Sequence, residues 1–279
     1  MDKPRTSVSA GKTRKPAAKI RAVKELQNRR AYLCRLTPDR ALESPEEALE
    51  FLRDRGLLTR TPDSALPSLF EACHEEPYAA GSRGFGSWPA TKYPWYFELA
   101  DRTDVHELKV HNGKSILFTD ESLVLVDGIC RSELARMEAE AEWARVLAHL
   151  AEAGPSTLAD LQAELGFTPR ELKSLRAPLE RCGAVVSRSL RVELPEGGHT
   201  HTSELVRYDQ AYPEPRGEGS IDELVIAAVR AAVVAPEPEI ARKWFSWRWL
   251  FDDHLVERLV SEGRLERIEP GWVTSPASA

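Results

Sequence analysis

The chain has 279 residues, of which 42% are hydrophobic and 29% charged, and its formal net charge is −6. This composition is ordinary for a soluble protein with two or three small domains, no apolar run approaches the about 20 residues that cross a bilayer, and the basic N-terminus lacks the apolar segment of a secretory signal. The cysteines are widely spaced and form no C-x-x-C pair, which argues against a zinc ribbon or a disulfide framework and predicts a cytoplasmic protein with four thiols, at Cys34, Cys73, Cys130 and Cys182.

The positive charge is concentrated at the N-terminus. Residues 1–30 hold ten lysines and arginines against Asp2 and Glu25, so the remainder of the chain is acidic. Residues 1–18 have almost no apolar anchors and are predicted to form a disordered basic arm that can neutralise phosphates. Its candidate DNA-binding residues are Lys12, Arg14 and Lys15. The alternative is a solvated tail that pairs with the acidic body of the same protein.

Residues 19–130 are predicted to form a first unit of helices followed by a β-hairpin. Helices are expected at residues 19–36, 45–55 and 66–74. The second has the clearest limits, because Ser44 is a favourable N-cap before a proline and Gly56 stops the helix. A hairpin is expected from residues 105–110 and 115–118, because Asn112-Gly113 between two alternating runs is the strongest short hairpin signal.

Residues 77–97 combine Gly and Pro with a dense run of aromatic rings. The rings are Tyr78, Phe85, Trp88, Tyr93, Trp95, Tyr96 and Phe97. Rings beside cations on irregular backbone can stack on unpaired or flipped bases. They can equally form core, since burying one large ring contributes roughly 2–3 kcal/mol. We expect the last three rings in the core, and the surface candidates for DNA contact are Arg83, Trp88 and Lys92.

Residues 131–212 give the clearest pattern, three helices closed by a β-ribbon. Helices are expected at residues 138–152, 158–165 and 168–183, and strands at 184–192 and 205–208 around a turn-rich loop. Gly154-Pro155, Gly166 and Gly183 mark the helix ends. This order is typical of a winged helix, a fold that mostly binds nucleic acid.

The helix at 168–183 has two chemically different faces. Its apolar face, which we expect in the core, consists of Leu172, Leu175, Leu179 and Cys182. Its opposite face carries hydrogen-bond donors of the kind that reach phosphates and base edges, namely Arg170, Lys173, Ser174 and Arg181. Pro178 is expected to kink or restart the helix. The alternative is an ordinary solvated face, since Glu171 and Glu180 are interleaved with the cations.

A similar order recurs at residues 220–275, after a linker at 213–219. Helices are expected at residues 222–234, 237–247 and 251–262, with a ribbon from 264–268 and 271–274. The third helix of this unit begins with Asp252-Asp253 and carries Glu257, carboxylates that would repel phosphate. We therefore expect this unit to form an interdomain or dimer surface. The fold class predicted for the whole chain is mainly α (α+β), with three tandem winged-helix units and small β-ribbons.

Several segments in this order resemble the AlkZ/YcaQ-like bacterial DNA glycosylases, which release alkylated and crosslinked bases. The carriers are Gly84-Phe-Gly-Ser-Trp-Pro-Ala-Thr-Lys92, the unit at 147–192, Glu239-Ile-Ala-Arg-Lys-Trp244 and residues 255–265. The resemblance implies a winged-helix protein of DNA repair. The glycosylases use two glutamines separated by one residue to position water, whereas this chain has only Gln27, Gln162 and Gln210. Their C-terminal β-barrel has no counterpart before Ala279.

The sequence offers little for catalysis. It contains no Ser-His-Asp order, Walker loop, H-E-x-x-H or G-x-G-x-x-G, and His199 with His201 is a weak metal pair because no third ligand is nearby. We therefore predict no catalytic residue, metal or cofactor. The expected function is DNA binding without catalysis, related to DNA repair. The alternatives are a base-excision glycosylase with a rebuilt site, and a transcriptional regulator or protein-interaction scaffold. The lesion or DNA sequence and the oligomeric state stay open.

Overall fold

The computed structural model describes residues 16–193 and 196–276. Helices account for about 52% of the described residues and strands for about 18%, and the strands form three small antiparallel sheets. The predicted mainly α (α+β) class is therefore confirmed. Within the described residues, none of the helices has the length and apolar character needed to cross a bilayer.

The first unit contains four helices and a three-stranded sheet. Its elements are α1 (Pro16–Leu33), α2 (Pro45–Arg55), β1 (Leu57–Thr59), α3 (Leu69–Ala72), α4 (Pro94–Ala100), β2 (Val105–His111) and β3 (Lys114–Thr119). The predicted limits of α2 are confirmed, because the Ser44 hydroxyl accepts a hydrogen bond from the Glu47 N–H at 3.2 Å and Gly56 ends the helix with a φ of 78°. The hairpin is confirmed too, with positive φ at Asn112 and Gly113. The helix predicted at 66–74 shrinks to the four residues of α3.

A long helix and the central unit follow. They consist of α5 (Asp120–Glu138), α6 (Ala141–Ala153), β4 (Ser156–Thr157), α7 (Leu158–Leu165), α8 (Pro169–Cys182), β5 (Val185–Glu193), β6 (His199–Arg207) and α9 (Tyr208–Ala211). The sequence analysis did not predict α5. It runs through the boundary placed between residues 130 and 131, and its C-terminal end is the reason that α6 begins at Ala141 rather than at 138.

The last unit differs from its prediction in one helix. Its elements are α10 (Ile221–Ala232), β7 (Val234–Pro236), α11 (Glu237–Glu239), α12 (Leu255–Ser261), β8 (Glu266–Glu269) and β9 (Trp272–Thr274). The helix predicted at 237–247 is wrong: α11 has three residues and passes into a π-helical turn, Ile240–Trp244. Trp247 is buried, and the Ser246 N–H donates to the Val110 carbonyl at 2.8 Å. These contacts with the first unit draw the segment out of helical geometry.

The same topology occurs three times along the chain. A helix and a short strand are followed by two helices and two strands, in the orders α2-β1-α3-α4-β2-β3, α6-β4-α7-α8-β5-β6 and α10-β7-α11-α12-β8-β9. In each sheet the last strand lies in the middle, giving β1-β3-β2, β4-β6-β5 and β7-β9-β8. Each unit therefore ends in a hairpin whose second strand pairs with the strand that precedes the two helices.

One buried cluster joins all three units. It includes Ile116 from the first unit, Leu179 from the central unit and Trp247 from the last. Polar contacts reinforce these junctions, since the Trp247 Nε1–H donates to the Cys182 carbonyl at 2.9 Å. A second cluster lies within the first unit, where Tyr96 is buried and Trp95 and Phe97 pack partly buried against it, as predicted.

Helix α5 holds the linker between the central and last units. The buried carboxylate of Asp127 accepts hydrogen bonds from the Arg216 N–H at 2.8 Å and from Arg131 Nε at 3.1 Å. The Ser220 N–H donates to the Leu125 carbonyl at 3.2 Å. The linker backbone passes directly over Gly128, where a Cβ atom would lie 1.6 Å from the Glu218 carbonyl oxygen. The linker is thus packed along α5 rather than forming a free connection between the central and last units.

Candidate nucleic-acid interface

The first turn of α8 is built by a capping box. The Thr168 hydroxyl accepts from the Glu171 N–H at 3.3 Å, and the Glu171 carboxylate accepts from the Thr168 N–H at 2.8 Å and from its hydroxyl at 2.7 Å. The hydrogen bond from the Thr168 side chain lowers the pKa of Glu171. Gly183, with a φ of 80°, ends the helix. The Glu171 carboxylate is therefore hydrogen-bonded to Thr168 and forms no ion pair with Arg170, its neighbour in the chain.

The inward side of α8 is both apolar and ion-paired. Leu172, Leu179 and Cys182 are buried and Leu175 packs partly buried, so the predicted core face is confirmed. Glu180 is buried as well. Its carboxylate accepts from Lys109 Nζ at 2.7 Å and lies 3.4 Å from Arg176 Nε. Glu180 is thereby removed from the outer face, whereas the capping carboxylate of Glu171 stays exposed at its N-terminal end.

The outward side of α8 carries the predicted donors. Arg170, Lys173, Ser174 and Arg181 are all exposed on this face. In the described parts of the chain, none of its three cations has a carboxylate oxygen within 4.0 Å. The helix continues through Pro178 to Cys182 as one element, so the expected restart does not occur. The face is a stripe of three cations that form no ion pair with the described residues, with the capped Glu171 at its N-terminal end.

The two ends of this stripe differ in their surroundings. A Cβ atom at Gly113, in the β2–β3 turn, would lie 3.1 Å from Arg181 Cγ, so the Arg181 stem packs against the first unit. Arg170, Lys173 and Ser174 lie in the N-terminal half, away from that junction. The N-terminal half is the part of α8 that is open to a ligand as large as a nucleic acid.

The hairpin β5–β6 flanks α8 and adds a cation that the sequence analysis missed. Lys109 Nζ donates to the Ser187 hydroxyl at 3.1 Å as well as to Glu180, which ties β5 to the helix. The next residue, Arg188, is exposed and has no carboxylate within 4.0 Å among the described residues. Arg188 lines the cleft between β5 and the first unit, together with Tyr212 and Arg216, and lies opposite Glu204 across the hairpin. The side chains of His199 and His201 lie outside the described residues.

The remaining predicted site residues lie elsewhere. Lys12, Arg14 and Lys15 fall outside the described residues. Arg83 is exposed and Trp88 partly buried, both in the aromatic segment of the first unit. Lys92 is turned inward: its Nζ donates to the carbonyl of Leu42 at 2.6 Å and lies 5.4 Å from the Trp95 ring centre. The structure therefore brings four of the predicted residues together on α8 and leaves Arg83 and Trp88 in a second cluster.

The equivalent helices of the other two units offer no comparable face. In α12 the Arg258 guanidinium donates to Asp222 at 2.6 Å and to Asp252 at 3.3 Å, while Asp253 and Glu257 are exposed. In α4 the single charged side chain is Glu98. Among the described residues, the central unit is thus the one whose third helix presents unpaired cations.

A second polar group lines a cleft of about 480 Å³ between the first unit and β5. His106 Nε2 lies 2.9 Å from Asp120 Oδ1, and Arg216 forms an ion pair with the same carboxylate. Burial lowers the pKa of His106, although the bond to Asp120 acts against this effect. The described residues contain no cluster of three His, Cys, Asp or Glu side chains that could hold a metal ion. The His106 group joins β2, α5 and the linker.

Comparison of the chain with known proteins identifies no similar protein. No protein-family model, no curated protein and no solved structure matches the chain. The resemblance to AlkZ/YcaQ-like glycosylases therefore stays a prediction, and the case for function has to be made from the chain's own residues.

Proposed function

We propose that this protein binds duplex DNA without catalysing a reaction, by placing α8 in the major groove. The proposal rests mainly on the exposed stripe of α8, whose three cations have no carboxylate within 4.0 Å among the described residues, while Glu180 is buried and paired with Lys109. Arginine and lysine at the N-terminal half of such a helix reach phosphates and guanine edges.

The repeated topology supports this proposal. Helix, strand, two helices and two strands, with the last strand in the middle of the sheet, is the order of a winged helix, and α8 is the second of its paired helices. That position is the one a recognition helix takes in helix-turn-helix proteins. The three units together are then tandem winged helices, of which the central one carries the contact.

A role in DNA repair follows from the resemblance alone. A transcriptional regulator would use the same surface, and a glycosylase would need a group that positions water beside an extruded base. Incubation with duplex that carries an alkylated base, followed by an assay for abasic sites, separates a binding protein from an enzyme. Accumulation of abasic product would replace the proposed function with the glycosylase alternative.

Replacing Arg170 and Lys173 with alanine is expected to weaken duplex binding at least about tenfold at physiological salt. If both contact phosphate, the slope of log K against log salt should flatten by about 2, because each lost contact accounts for roughly 0.9. Thermal stability should stay within about 0.5 kcal/mol of wild type, since both side chains are exposed and unpaired. Fluorescence anisotropy over a salt series measures the affinity, and thermal unfolding measures the stability.

The matched control is Arg230→Ala with Arg242→Ala. These arginines are also exposed and also lack a carboxylate within 4.0 Å among the described residues, so the control removes the same charge from another surface. Equal weakening in both double variants would reduce the effect to net charge and contradict a specific role for α8. Loss of stability with unchanged binding would place the face of α8 in a protein contact.

Deleting residues 1–15 is expected to flatten the salt dependence further. The segment contains Lys3, Arg5, Lys12, Arg14 and Lys15, so up to five phosphate contacts are lost and the slope should change by up to about 4.5. Affinity should fall equally for unrelated duplex sequences, because phosphate contacts carry no sequence information. An unchanged slope would show that the arm does not touch DNA.

A further inference from the structure

The segment at 77–89, here named the aromatic loop, is an irregular hairpin. The Tyr78 N–H donates to the Trp88 carbonyl at 2.6 Å, and the Ala79 N–H donates to the Gly86 carbonyl at 2.7 Å. At its tip, Gly81 has a φ of 78° and a Cβ atom there would meet nothing within 4 Å. The tip backbone is therefore open to close approach by another molecule.

The rings of the aromatic loop form a continuous surface that is half in water. Tyr78 is 58% exposed and Phe85 is 45% exposed, with their ring centres 5.0 Å apart. Phe85 continues edge-on to Trp88 at 5.1 Å. Folding gains little from rings whose faces stay in water, so their exposure favours a binding role.

A cleft of about 720 Å³ opens beside this surface, within the usual range for ligand sites. Its wall includes Trp88, with the Arg60 guanidinium 4.6 Å from the ring centre. Arg60 Nε has no hydrogen-bond partner, and no carboxylate lies within 4.0 Å of Arg60 in the described chain. The Arg60 guanidinium thus covers the Trp88 ring, and the exposed ring faces of the loop are those of Tyr78 and Phe85, which lie outside this cleft.

The acids that line this cleft are Asp63, Glu71 and Glu75, and the first and last of them are bound within the protein. The Glu75 carboxylate accepts from the Thr91 and Lys92 N–H groups at 2.9 and 2.8 Å, and Asp63 is paired with Lys114. Arg83, on the tip, is exposed with no carboxylate in range among the described residues. The free charge at the tip of the aromatic loop is positive.

We propose that the aromatic loop binds unpaired bases of single-stranded DNA, with Tyr78 and Phe85 as the stacking surface and Arg83 as the phosphate contact. Aromatic rings stack on every base, and arginines beside them follow the backbone, which is how proteins hold single strands without reading sequence. The inference rests on the proposed function, because it gives the same DNA-binding protein a second contact for strands opened beside the duplex site.

The test uses the full chain and an oligothymidylate of about 12 nucleotides, a length within the usual site sizes. Wild type should bind it, and the double variant Tyr78→Ala with Phe85→Ala should weaken binding by at least about tenfold, since each stacked ring contributes roughly 5- to 100-fold. A 2-aminopurine placed in the oligonucleotide should be quenched by wild type and not by the double variant. Affinity for blunt duplex should stay unchanged.

Tyr32→Ala is the matched control, because Tyr32 is 56% exposed but lies in α1, outside the aromatic loop. Arg83→Ala is a second variant that leaves every ring in place, and it should flatten the salt dependence for the single strand by about 0.7. Failure of wild type to bind the oligonucleotide, or equal binding by wild type and the double variant, would overturn the inference. Conversion of a dimer to a monomer by the double variant, with single-strand affinity retained, would assign the rings to self-association and overturn it too.

Failure of this inference and failure of the proposed function give different results. Duplex binding that is sensitive to Arg170→Ala with Lys173→Ala would stand even if the single strand were not bound. Absence of duplex binding would remove the proposed function, whatever the aromatic loop does.

Discussion

Replacing Gly128 with alanine is expected to destabilise the protein by at least about 3 kcal/mol. In an ordinary helix interior the same change stabilises by roughly 0.5–1 kcal/mol, because alanine has the better helix propensity. Here the new Cβ would lie 1.6 Å from the Glu218 carbonyl oxygen and 2.2 Å from its carbon, and backbone atoms cannot rotate away as a side chain does. The linker would have to leave α5. Urea unfolding followed by circular dichroism measures the change.

Whether Gly128→Ala destabilises or stabilises the protein decides whether the linker packs on α5. Ser132→Ala, one turn further along α5 at an exposed position, is the control and should be neutral or slightly stabilising. A stable Gly128→Ala variant with unchanged unfolding would mean that the linker does not lie on α5 in solution. The larger variant Gly128→Val should then be tolerated as well.

Replacing Asp127 with alanine is expected to destabilise by about 3–5 kcal/mol, the usual cost of removing one partner of a buried ion pair. The carboxylate is fully buried and accepts from Arg131, the Arg216 N–H and, at 3.4 Å, the Gly217 N–H. The change would leave these donors without their acceptor. Arg131 would keep its bond to the Tyr212 carbonyl at 2.5 Å. Chemical denaturation at neutral pH measures the loss.

The contacts of Asp127 also predict how the stability of the protein depends on pH. Burial raises the pKa of Asp127, but the hydrogen bonds and charge of Arg131 and the Arg216 N–H outweigh it, so the pKa lies below its ordinary value. A carboxyl whose pKa is lower in the folded state contributes stability above its unfolded pKa, near 3.9, and loses it as pH falls through the folded value. Wild type should therefore lose stability more steeply below about pH 4 than Asp127→Asn does. Parallel pH profiles of the two proteins would contradict the assignment.

Capping and turn residues in the sequence correctly predicted those helices and hairpins whose ends depend on one or two residues. Ser44 and Gly56 gave α2 its limits, and Asn112-Gly113 gave the first hairpin. The two faces of α8 followed from helical spacing, because three leucines and a cysteine recur on one side. These features depend on neighbours within a few residues, which a sequence displays directly.

The failures have tertiary causes. Helix α5 buries Leu123, Val126 and Ile129 together with the charged Asp127 and Glu133, so its pattern has no clean apolar face, and Gly128 looks like a breaker until the linker above it is known. The segment at 237–247 has good helical spacing. It leaves the helix because the first unit binds Ser246 and the core takes Trp247.

The sequence predicted which cations of the candidate site are exposed, but not which carboxylates and carbonyls pair with the charged side chains around it. Exposure of Arg170 and Lys173 follows from periodicity. The pairing of Glu180 with Lys109, which takes a negative charge away from that face, joins residues far apart in the chain. The inward turn of Lys92 depends in the same way on the Leu42 carbonyl. Charge on a surface is therefore decided by partners that a local reading of the sequence does not reveal.

The buried cluster that joins all three units restricts how the units can move relative to one another. Side chains from each unit pack in this cluster and the linker is bound along α5, so the described residues contain no unpacked joint that could bend to follow a curved or kinked duplex. In a complex formed through α8, the deformation needed for further contacts would have to come from the DNA. Bending or unstacking costs several kcal/mol and depends on the base steps involved, so sites with flexible pyrimidine–purine steps would be preferred even where no side chain touches a base.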